Sequence, residues 1–360
     1  MAETVARFEV ARTGFIDADG RALGPLPAFA GDAEELIALY RAMVRARAFD
    51  DKAIALQRTG RLGTYASALG QEAVAVGVAA AMLPEDVLLP SHREHGAQLW
   101  RGVRLLELLL YWGGDERGSD FRDAREDFPV CVPVATHFPH GAGAALAFKL
   151  RGEARAAVCI AGDGATSKGD FYEALNLIGV WRLPAVFVIA NNQWAISMPR
   201  AEQTAAETIA QKAIAAGIPG EQVDGNDVIA VRDATARALM RARAGDGGTL
   251  IEALTYRLAD HTTADDASRY REETEVAPRR KLEPLLRLRR FLVREGHLDD
   301  AGDEALHAQC AAEVEAAAEG YLASKPEPPE AMFDHLFETL PADVAAQRAA
   351  LLQAKGPGDG

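Results

Sequence analysis

Two clusters of small polar residues in the middle of the chain have the composition of a metal–phosphate site. Gly162-Asp163-Gly164 follows the apolar run 156–161, and Asn191-Asn192 follows the apolar run 186–190. Glycines beside the carboxylate let the backbone turn sharply and approach a ligand, and the N–H groups at the start of a following helix favour a phosphate. The Asp163 carboxylate suits a hard cation such as Mg²⁺, to which the Asn192 amide would add a neutral oxygen ligand.

Each cluster has a simpler interpretation on its own. Asp-Gly is a common turn sequence, and an asparagine at the end of a strand often caps a turn. The segment also matches the dinucleotide-binding fingerprint poorly, because Ser167 occupies the position of its last glycine. The prediction of a metal–phosphate site therefore depends on the two clusters together.

The two clusters are joined by a predicted helix at about 168–181, which gives a strand–loop–helix–strand unit. A right-handed crossover of this kind makes the two strands parallel, and ligands bind beyond the carboxyl ends of such strands. Similar apolar runs that end in polar residues recur along the chain, so we predict an α/β fold with a parallel sheet flanked by helices. The predicted strands lie near Val87, Val130, Ala156, Ala185 and Thr249, with a minor strand near Gln222 and further helices at 205–216 and 227–244.

The two ends of the chain differ from its middle. Residues 1–31 are predicted to form an extended N-terminal arm, and Asp32 is predicted to cap the first long helix. We expect an α/β domain over 32–275, a helical region over 276–354 and a disordered tail over 355–360.

Composition restricts the functional class. The chain has 360 residues, a net charge of −14 and 49% hydrophobic residues, which favour a globular protein and argue against general nucleic-acid binding. No apolar run approaches the ~18–20 residues of a membrane span. Cys131, Cys159 and Cys310 are isolated, so we expect free thiols in a reducing compartment, the cytoplasm. The charged loop 113–127 is predicted to be solvated, with a lid or docking segment as the alternative.

Basic and histidine side chains follow other predicted strands. Arg93 comes after the strand near Val87, and Arg257 comes at the end of the strand near Thr249. A guanidinium at a strand end can bind a phosphate through two hydrogen bonds, and the ordinary histidine pKa of about 6.5 suits proton transfer at neutral pH. Five of the eight histidines fall at this edge and predict an active-site rim: His92, His95, His137, His140 and His261.

The paired clusters resemble the thiamin diphosphate motif, in which Gly-Asp-Gly and a later asparagine frame the cofactor's phosphates. From about Asp32 to His335 the chain is similar to the alpha subunits of the thiamin diphosphate-dependent decarboxylating component of 2-oxo acid dehydrogenase complexes. The resemblance therefore implies the thiamin diphosphate-binding fold. Its most specific stretches are 60–65 (GRLGTY), 70–73 (GQEA), 169–173 (GDFYE), 191–199, 211–220 (QKAIAAGIPG), 223–225 (VDG) and 254–257 (LTYR).

The resemblance implies a role for each matched position. The implied Mg²⁺ ligands are Asp163, Asn192 and the main-chain carbonyl of Trp194. The implied cofactor-binding residues are His92, Arg93, Val132, Val134, Gly162, Asp163, Gly164, Ala165, Asn192, Arg257 and His261. Within this set the two arginines clamp the diphosphate, the two valines cradle the aminopyrimidine ring, and His261 is the catalytic residue near the substrate. His92 departs from the family pattern, in which a tyrosine is common at this position.

The resemblance also implies partners. The glutamate that activates thiamin belongs to a separate beta subunit in two-subunit members, and no second cofactor-binding module fits within this chain. We therefore expect an α2β2 heterotetramer with the site at the subunit interface, and acyl transfer to the lipoyl domain of an acyltransferase component. Thr262 stands where animal relatives carry a regulatory serine, and Ala264 replaces a nearby hydroxyl, which argues against kinase control. Residues 262–271 are expected to form a mobile loop that orders with cofactor.

The substrate remains a choice between related 2-oxo acids. The stretches 63–65 and 211–220 are similar to bacterial pyruvate-type subunits, whereas 223–228 and 265–268 are similar to the branched-chain type. Pyruvate is favoured, with 3-methyl-2-oxobutanoate as the main alternative and acetoin cleavage as a third. A non-catalytic binding protein is a different class, but it is disfavoured because Asp163, Asn192, Arg257 and His261 are all retained.

Overall fold

A parallel sheet of six strands organises the protein, whose computed structural model describes residues 1–354. Its strands lie in the order β1-β7-β8-β4-β3-β2, and each neighbouring pair is parallel. These strands are β1 (Arg12–Thr13), β2 (Val87–Leu89), β3 (Ala157–Gly162), β4 (Ala185–Asn191), β7 (Gly220–Asp224) and β8 (Thr249–Leu254). Two short strands, β5 (Trp194–Ala195) and β6 (Met198–Pro199), form an antiparallel ribbon. The predicted tail, 355–360, lies outside the described residues.

Helices cover both faces of the sheet and extend along the chain's carboxyl-terminal part. They are α1 (Ala33–Arg58), α2 (Glu72–Ala81), α3 (His95–Trp100), α4 (Leu105–Trp112), α5 (His137–Arg151), α6 (Gly169–Val180), α7 (Arg200–Gln203), α8 (Lys212–Ala216), α9 (Val228–Arg243), α10 (Glu273–Arg280), α11 (Pro284–Arg294), α12 (Asp300–Ala323) and α13 (Ala342–Ala354). The predicted α/β class, a parallel sheet flanked by helices, is confirmed. In the described part of the chain no helix is both long enough and apolar enough to cross a membrane.

The central strands are buried on both faces because successive side chains alternate between two cores. On one face Cys159 and Ala161 pack with residues of α5 and α6. On the other face Val158 and Ile160 pack with residues of α2 and α9. This arrangement explains why β3 and β4 are continuous apolar runs rather than alternating ones.

Close packing of α5 on the sheet requires a glycine. A Cβ atom at Gly141 would lie 2.2 Å from Sγ of Cys159, far inside van der Waals contact. Gly141 therefore permits the close approach of this helix to β3. As a result, α5 begins directly at the carboxyl edge of the sheet.

Caps define several helix ends as the sequence predicts. The Asp32 side chain accepts from the N–H groups of Glu34 and Glu35 at the start of α1. Asp227 does the same at the start of α9, which agrees with the helix expected at 227–244.

Two predicted elements differ in the structure. No strand is present near Val130 among the described residues, because Pro129 and Pro133 remove backbone donors from this segment. The helix expected at 205–216 is limited to α8, and a turn closed by Thr208 and Gln211 precedes it. The Thr208 N–H donates to Gln211 Oε1 at 2.7 Å, and the Gln211 N–H donates to Thr208 Oγ1 at 3.2 Å.

The carboxyl-terminal helices share a core with the first long helix. Leu288 of α11 and Cys310 of α12 belong to the same buried cluster as Leu36 and Tyr40 of α1. The Tyr40 hydroxyl also donates to Asp303 at 2.8 Å. This packing holds α1, and the loop that follows it, at a fixed position beside the sheet.

Candidate functional site

The two polar clusters lie side by side at the carboxyl edge of the sheet. Gly162, at the end of β3, pairs with Ala190 near the end of β4, so Asp163 and Asn192 leave neighbouring strands. The backbone after β8 continues the same ladder: the Thr255 N–H donates to the Asn191 carbonyl at 2.9 Å, and the Arg257 N–H donates to the Asn192 carbonyl at 3.1 Å. The register of three strands therefore brings an acid, an amide and a guanidinium together.

Asp163 is a buried carboxylate in which only one of the two oxygens has a hydrogen-bond partner among the described residues. It is 1% exposed, and its Oδ2 accepts from Nε2 of Gln203 at 2.8 Å. Its Oδ1 has no hydrogen-bond partner in the described part of the protein. Burial raises the pKa of Asp163, and the Gln203 bond opposes that shift. An unpartnered buried carboxylate oxygen is unfavourable unless a cation or donor approaches it, so this atom fits a metal ligand.

The side-chain nitrogen of Asn192 is held by a hydrogen bond, and its side-chain oxygen faces the loop that follows. Its Nδ2 donates to Oε1 of Gln71 at 2.9 Å, and its Oδ1 accepts from the Trp194 N–H at 3.2 Å. The chain then reverses sharply through two non-glycine residues with positive φ, Gln193 at 74° and Ile196 at 55°. This turn directs the carbonyls of Trp194 and Ile196 toward the Arg257 guanidinium, at 3.4 and 2.8 Å.

The turn that carries Asp163 is a short 3₁₀ helix, Asp163–Ser167. A Cβ atom at Gly164 would lie 2.7 Å from Cβ of Ala195, so glycine is required where this turn meets β5. The Thr166 hydroxyl donates to the Asp163 carbonyl at 2.9 Å. Lys212, a buried lysine, donates through Nζ to the Thr166 carbonyl at 2.8 Å. The conformation of the turn is thus fixed from within the chain. Ala165 is buried in it, and Gly162 is partly buried at its start.

Arg93 and Arg257 are buried guanidiniums without a carboxylate within 4 Å in the described residues; they are 8% and 1% exposed. Arg257 also donates to the Tyr270 hydroxyl at 2.8 Å, while its Nε has no partner among residues 1–354. Burial, followed by the positive charge of Arg257, lowers the pKa of Arg93 to about 10. Two neighbouring buried guanidiniums, neither paired with a carboxylate, make an anion-binding site.

His261 lies against Arg93. The Arg93 Nη2 donates to the His261 carbonyl at 2.6 Å and to Nδ1 of its ring at 2.9 Å, so Nδ1 is an acceptor and the ring proton is on Nε2. The His92 ring is 6.0 Å from the His261 ring, edge to face. Burial, followed by the charge of Arg93, lowers the pKa of His92 to about 3 and that of His261 to about 4. Both rings are therefore neutral at pH 7.

The five predicted rim histidines do not form one group. His92 and His261 are together, whereas His95 is in the interior, where its Nε2 accepts from Nε1 of Trp112 at 3.0 Å. His137 is 2% exposed at the start of α5, with its Nε2 3.0 Å from the Ile160 carbonyl. His140 is exposed and stacks near Phe128. The sequence could not separate these positions, because all follow apolar runs.

His95 gives a testable pH dependence of stability. Burial lowers its pKa to about 3, so between about pH 6.5 and 3 the unfolded chain takes up a proton here that the folded chain does not. The free energy of unfolding therefore falls with falling pH, by up to about 1.4 kcal/mol per pH unit. We expect His95→Gln to flatten the slope of urea-unfolding free energy between pH 7 and 5. His335→Gln, at an exposed position, is the control; equal slopes in wild type and His95→Gln would contradict the expectation.

Val132 and Val134 lie on the surface segment that leaves the sheet edge before α5. They are 54% and 47% exposed, so within this chain neither is enclosed by other side chains. The sequence interpretation missed three residues that hold the site, namely Gln71, Gln203 and Lys212. Gln71 and Lys212 lie inside stretches that carry the resemblance, while no sequence signal points to Gln203.

Comparisons with known proteins agree with this geometry. A family model described as the dehydrogenase E1 component matches residues 40–330. A pyruvate dehydrogenase E1 component subunit alpha of Staphylococcus aureus (strain Mu50) is 40% identical over 315 residues, which cover 87% of this chain and 85% of the relative. The protein of the same description in Staphylococcus epidermidis (strain RP62A) is 38% identical over 348 residues, 96% of this chain and 93% of the relative.

Proposed function

The chain belongs to the dehydrogenase E1 component family, and from that premise we propose that it is the alpha subunit of a pyruvate dehydrogenase that binds thiamin diphosphate and Mg²⁺. The observation that carries the proposal is the charge arrangement at the sheet edge. A buried carboxylate with a free oxygen, Asp163, lies near the buried Arg257 guanidinium, which in turn lies near that of Arg93, and neither guanidinium has a carboxylate partner in residues 1–354. A divalent cation with a diphosphate would satisfy all three groups at once.

The donor set fits Mg²⁺. Asp163 offers one charged oxygen and Asn192 one neutral oxygen, and the Trp194 carbonyl follows two residues later in the same turn. Hard oxygen donors of this kind, completed by phosphate oxygens, are what Mg²⁺ prefers. Gln203 would keep Asp163 oriented through its other oxygen.

The diphosphate is assigned to the basic groups beside the proposed metal ligands. Arg93 and Arg257 supply guanidiniums for charge-assisted hydrogen bonds, and His92 is adjacent to Arg93 and within ring contact of His261. The N–H groups of the turn at Gly162, Gly164 and Ala165 are the proposed backbone contacts. Val132 and Val134, exposed beside this edge, are the proposed contacts of the aminopyrimidine ring.

The chain's own chemical contribution centres on His261. When bound, thiamin diphosphate supplies the nucleophilic carbon and the electron sink for loss of CO₂ from a 2-oxo acid. A neutral imidazole with its proton on Nε2 can donate a hydrogen bond to substrate, while Arg93 fixes its Nδ1 side. The resulting role is to orient substrate and to assist acyl transfer to the lipoyl group.

The proposal includes a second chain. An alpha subunit implies a complex with a beta subunit, and we propose that the latter supplies the glutamate that activates thiamin. Val132 and Val134 would then be covered by that partner. The alpha chain alone is expected to be inactive.

A branched-chain 2-oxo acid is the second candidate substrate. The stretches 223–228 and 265–268 favour it, whereas the curated relatives named above are pyruvate enzymes. Pyruvate remains the proposal because those relatives cover most of the chain.

Reconstitution with the beta chain tests the function. With Mg²⁺, thiamin diphosphate and a lipoyl acceptor, we expect decarboxylation of pyruvate with at least about tenfold higher kcat/KM than of 3-methyl-2-oxobutanoate, since one extra hydrophobic group or clash changes specificity by this order. A clear preference for the branched acid, or for acetoin, would overturn the substrate assignment. No calorimetric binding of thiamin diphosphate by the complex would favour a non-catalytic homologue.

A further inference from the structure

Residues 65–68, in the loop between α1 and α2, contact both Arg93 and the loop that carries His261. The Ser67 carbonyl accepts a hydrogen bond from Nη1 of Arg93. The Tyr65 N–H donates to the Thr263 hydroxyl at 3.0 Å, and the Tyr65 carbonyl accepts from the Thr263 N–H at 2.9 Å. This segment, which we call the 65–68 segment, therefore links Arg93 with the loop that carries His261.

One buried carboxylate fixes the 65–68 segment. Asp50, in α1, is 2% exposed. Its Oδ1 accepts from the Tyr65 hydroxyl at 2.5 Å and from the Ala68 N–H at 3.0 Å, and its Oδ2 accepts from the Ser67 hydroxyl. Three donors from four consecutive residues meet at a single side chain, so the conformation of the segment depends on that side chain.

The Tyr65 side chain ties the same segment to α3. Its hydroxyl lies 3.4 Å from Nδ1 of His95, and Nε2 of His95 accepts from Nε1 of Trp112. Because Nε2 is the acceptor, Nδ1 carries the ring proton and donates to Tyr65. The Tyr65 hydroxyl is then free to donate to Asp50.

The charge of Asp50 also reaches Arg93. Burial and Arg257 lower the pKa of Arg93, while the carboxylates of Glu94 and Asp50 oppose this. Asp50 is thus a buried carboxyl group near an arginine that has no carboxylate within 4 Å in the described residues.

We infer that Asp50 is a positioning residue that holds Arg93 and His261 in the arrangement required by the bound diphosphate, acting through Ser67 and Tyr65. The inference rests on the proposed function. Asp50 itself touches none of the residues assigned to metal or diphosphate. Loss of its carboxylate frees the Ser67 carbonyl and the Tyr65–Thr263 pair to move, and Arg93 and His261 move with them.

Three variants test the inference by calorimetry of thiamin diphosphate binding to the complex with the beta chain and Mg²⁺. Asp50→Ala should weaken binding by at least about tenfold. Asp50→Asn should stay within about threefold of wild type, because its amide oxygen still accepts from Tyr65 and Ala68 and the Ser67 hydroxyl can rotate to accept. Asp51→Ala, the exposed neighbour on the same helix, should bind as wild type.

A spectroscopic measurement separates positioning from general destabilisation. The ¹H–¹³C resonance of the His261 ring in the cofactor-free chain is identified by its loss in His261→Ala. It should shift in Asp50→Ala and remain in place in Asp50→Asn and Asp51→Ala. The resonance measurement needs no cofactor. If the wild-type complex failed to bind thiamin diphosphate, the proposed function would be overturned, but the resonance measurement would still test the role of Asp50.

A second route applies if Asp50→Ala does not fold. Ser67→Ala removes one bond to Asp50 and should weaken binding about threefold with the same His261 shift. The inference is overturned if Asp50→Ala, or Ser67→Ala in its place, lowers the melting temperature while the His261 resonance and the Kd stay at their wild-type values.

Discussion

Asp163→Asn is expected to abolish Mg²⁺-dependent binding of thiamin diphosphate while stabilising the cofactor-free chain. The buried carboxylate has one oxygen without a partner in residues 1–354, so neutralising it removes an uncompensated buried charge. We expect a gain of about 1 kcal/mol in the free energy of unfolding without cofactor. In the complex with the beta chain, loss of the only charged metal ligand proposed should weaken binding by at least about 100-fold.

The test is specific because Asp163→Asn is expected to weaken cofactor binding and to increase the stability of the cofactor-free chain. Calorimetry of the complex gives the Kd, and urea unfolding of the cofactor-free chain gives the stability. Asp246→Asn, at an exposed position before β8, is the matched control and should change neither quantity. Because burial raises the pKa of Asp163, acidification should mimic the variant: binding should weaken as the pH falls toward that raised pKa. Retention of wild-type affinity in Asp163→Asn would remove Asp163 from the metal site.

Arg257→Met is expected to produce the second large loss, about 100-fold in thiamin diphosphate affinity, because it removes one of the two buried guanidiniums assigned to the diphosphate, and Arg257 has no carboxylate partner in the described residues. Arg257→Lys keeps a positive charge but not the planar fork, so it should lose about tenfold. We therefore expect the affinity to rise from Arg257→Met to Arg257→Lys and from Arg257→Lys to wild type.

The same calorimetry supplies the control for the arginine series. Arg58→Met changes an exposed arginine in the last turn of α1 and should leave the Kd unchanged. Equal affinity of Arg257→Lys and wild type would show that only charge matters at this position. Wild-type affinity in Arg257→Met would contradict a phosphate contact.

The sequence predicted the parts of the site that are set by local pattern. Asp163 and Asn192 could be placed together because each follows a fully apolar run, and such runs are central parallel strands. Arg257 could be added because β8 has the same form. The family resemblance then supplied the cofactor, which spacing alone did not identify.

The remainder depends on contacts between distant segments. Gln203 reaches Asp163 only because α7 folds back from the β5–β6 ribbon, and nothing near Gln203 in sequence marks it. The segment near Val130 has the apolar composition of a strand. It does not form one, because its prolines lack backbone N–H donors. His95 was grouped with His92 because both follow the strand near Val87, yet His95 lies in the interior at the start of α3 and His92 lies at the site.

The hydrogen-bonded ladder beyond β8 has a consequence for how the ligand is recognised. Thr255 and Arg257 donate to the carbonyls of Asn191 and Asn192, so the proposed metal ligand and the proposed phosphate clamp are parts of one rigid backbone frame. Their separation is preorganised, and binding need not spend conformational entropy to create it. This frame would fix the distance between the bound metal and the bound phosphate. The site would therefore discriminate by the number of phosphate groups. It would bind thiamin diphosphate and reject thiamin monophosphate.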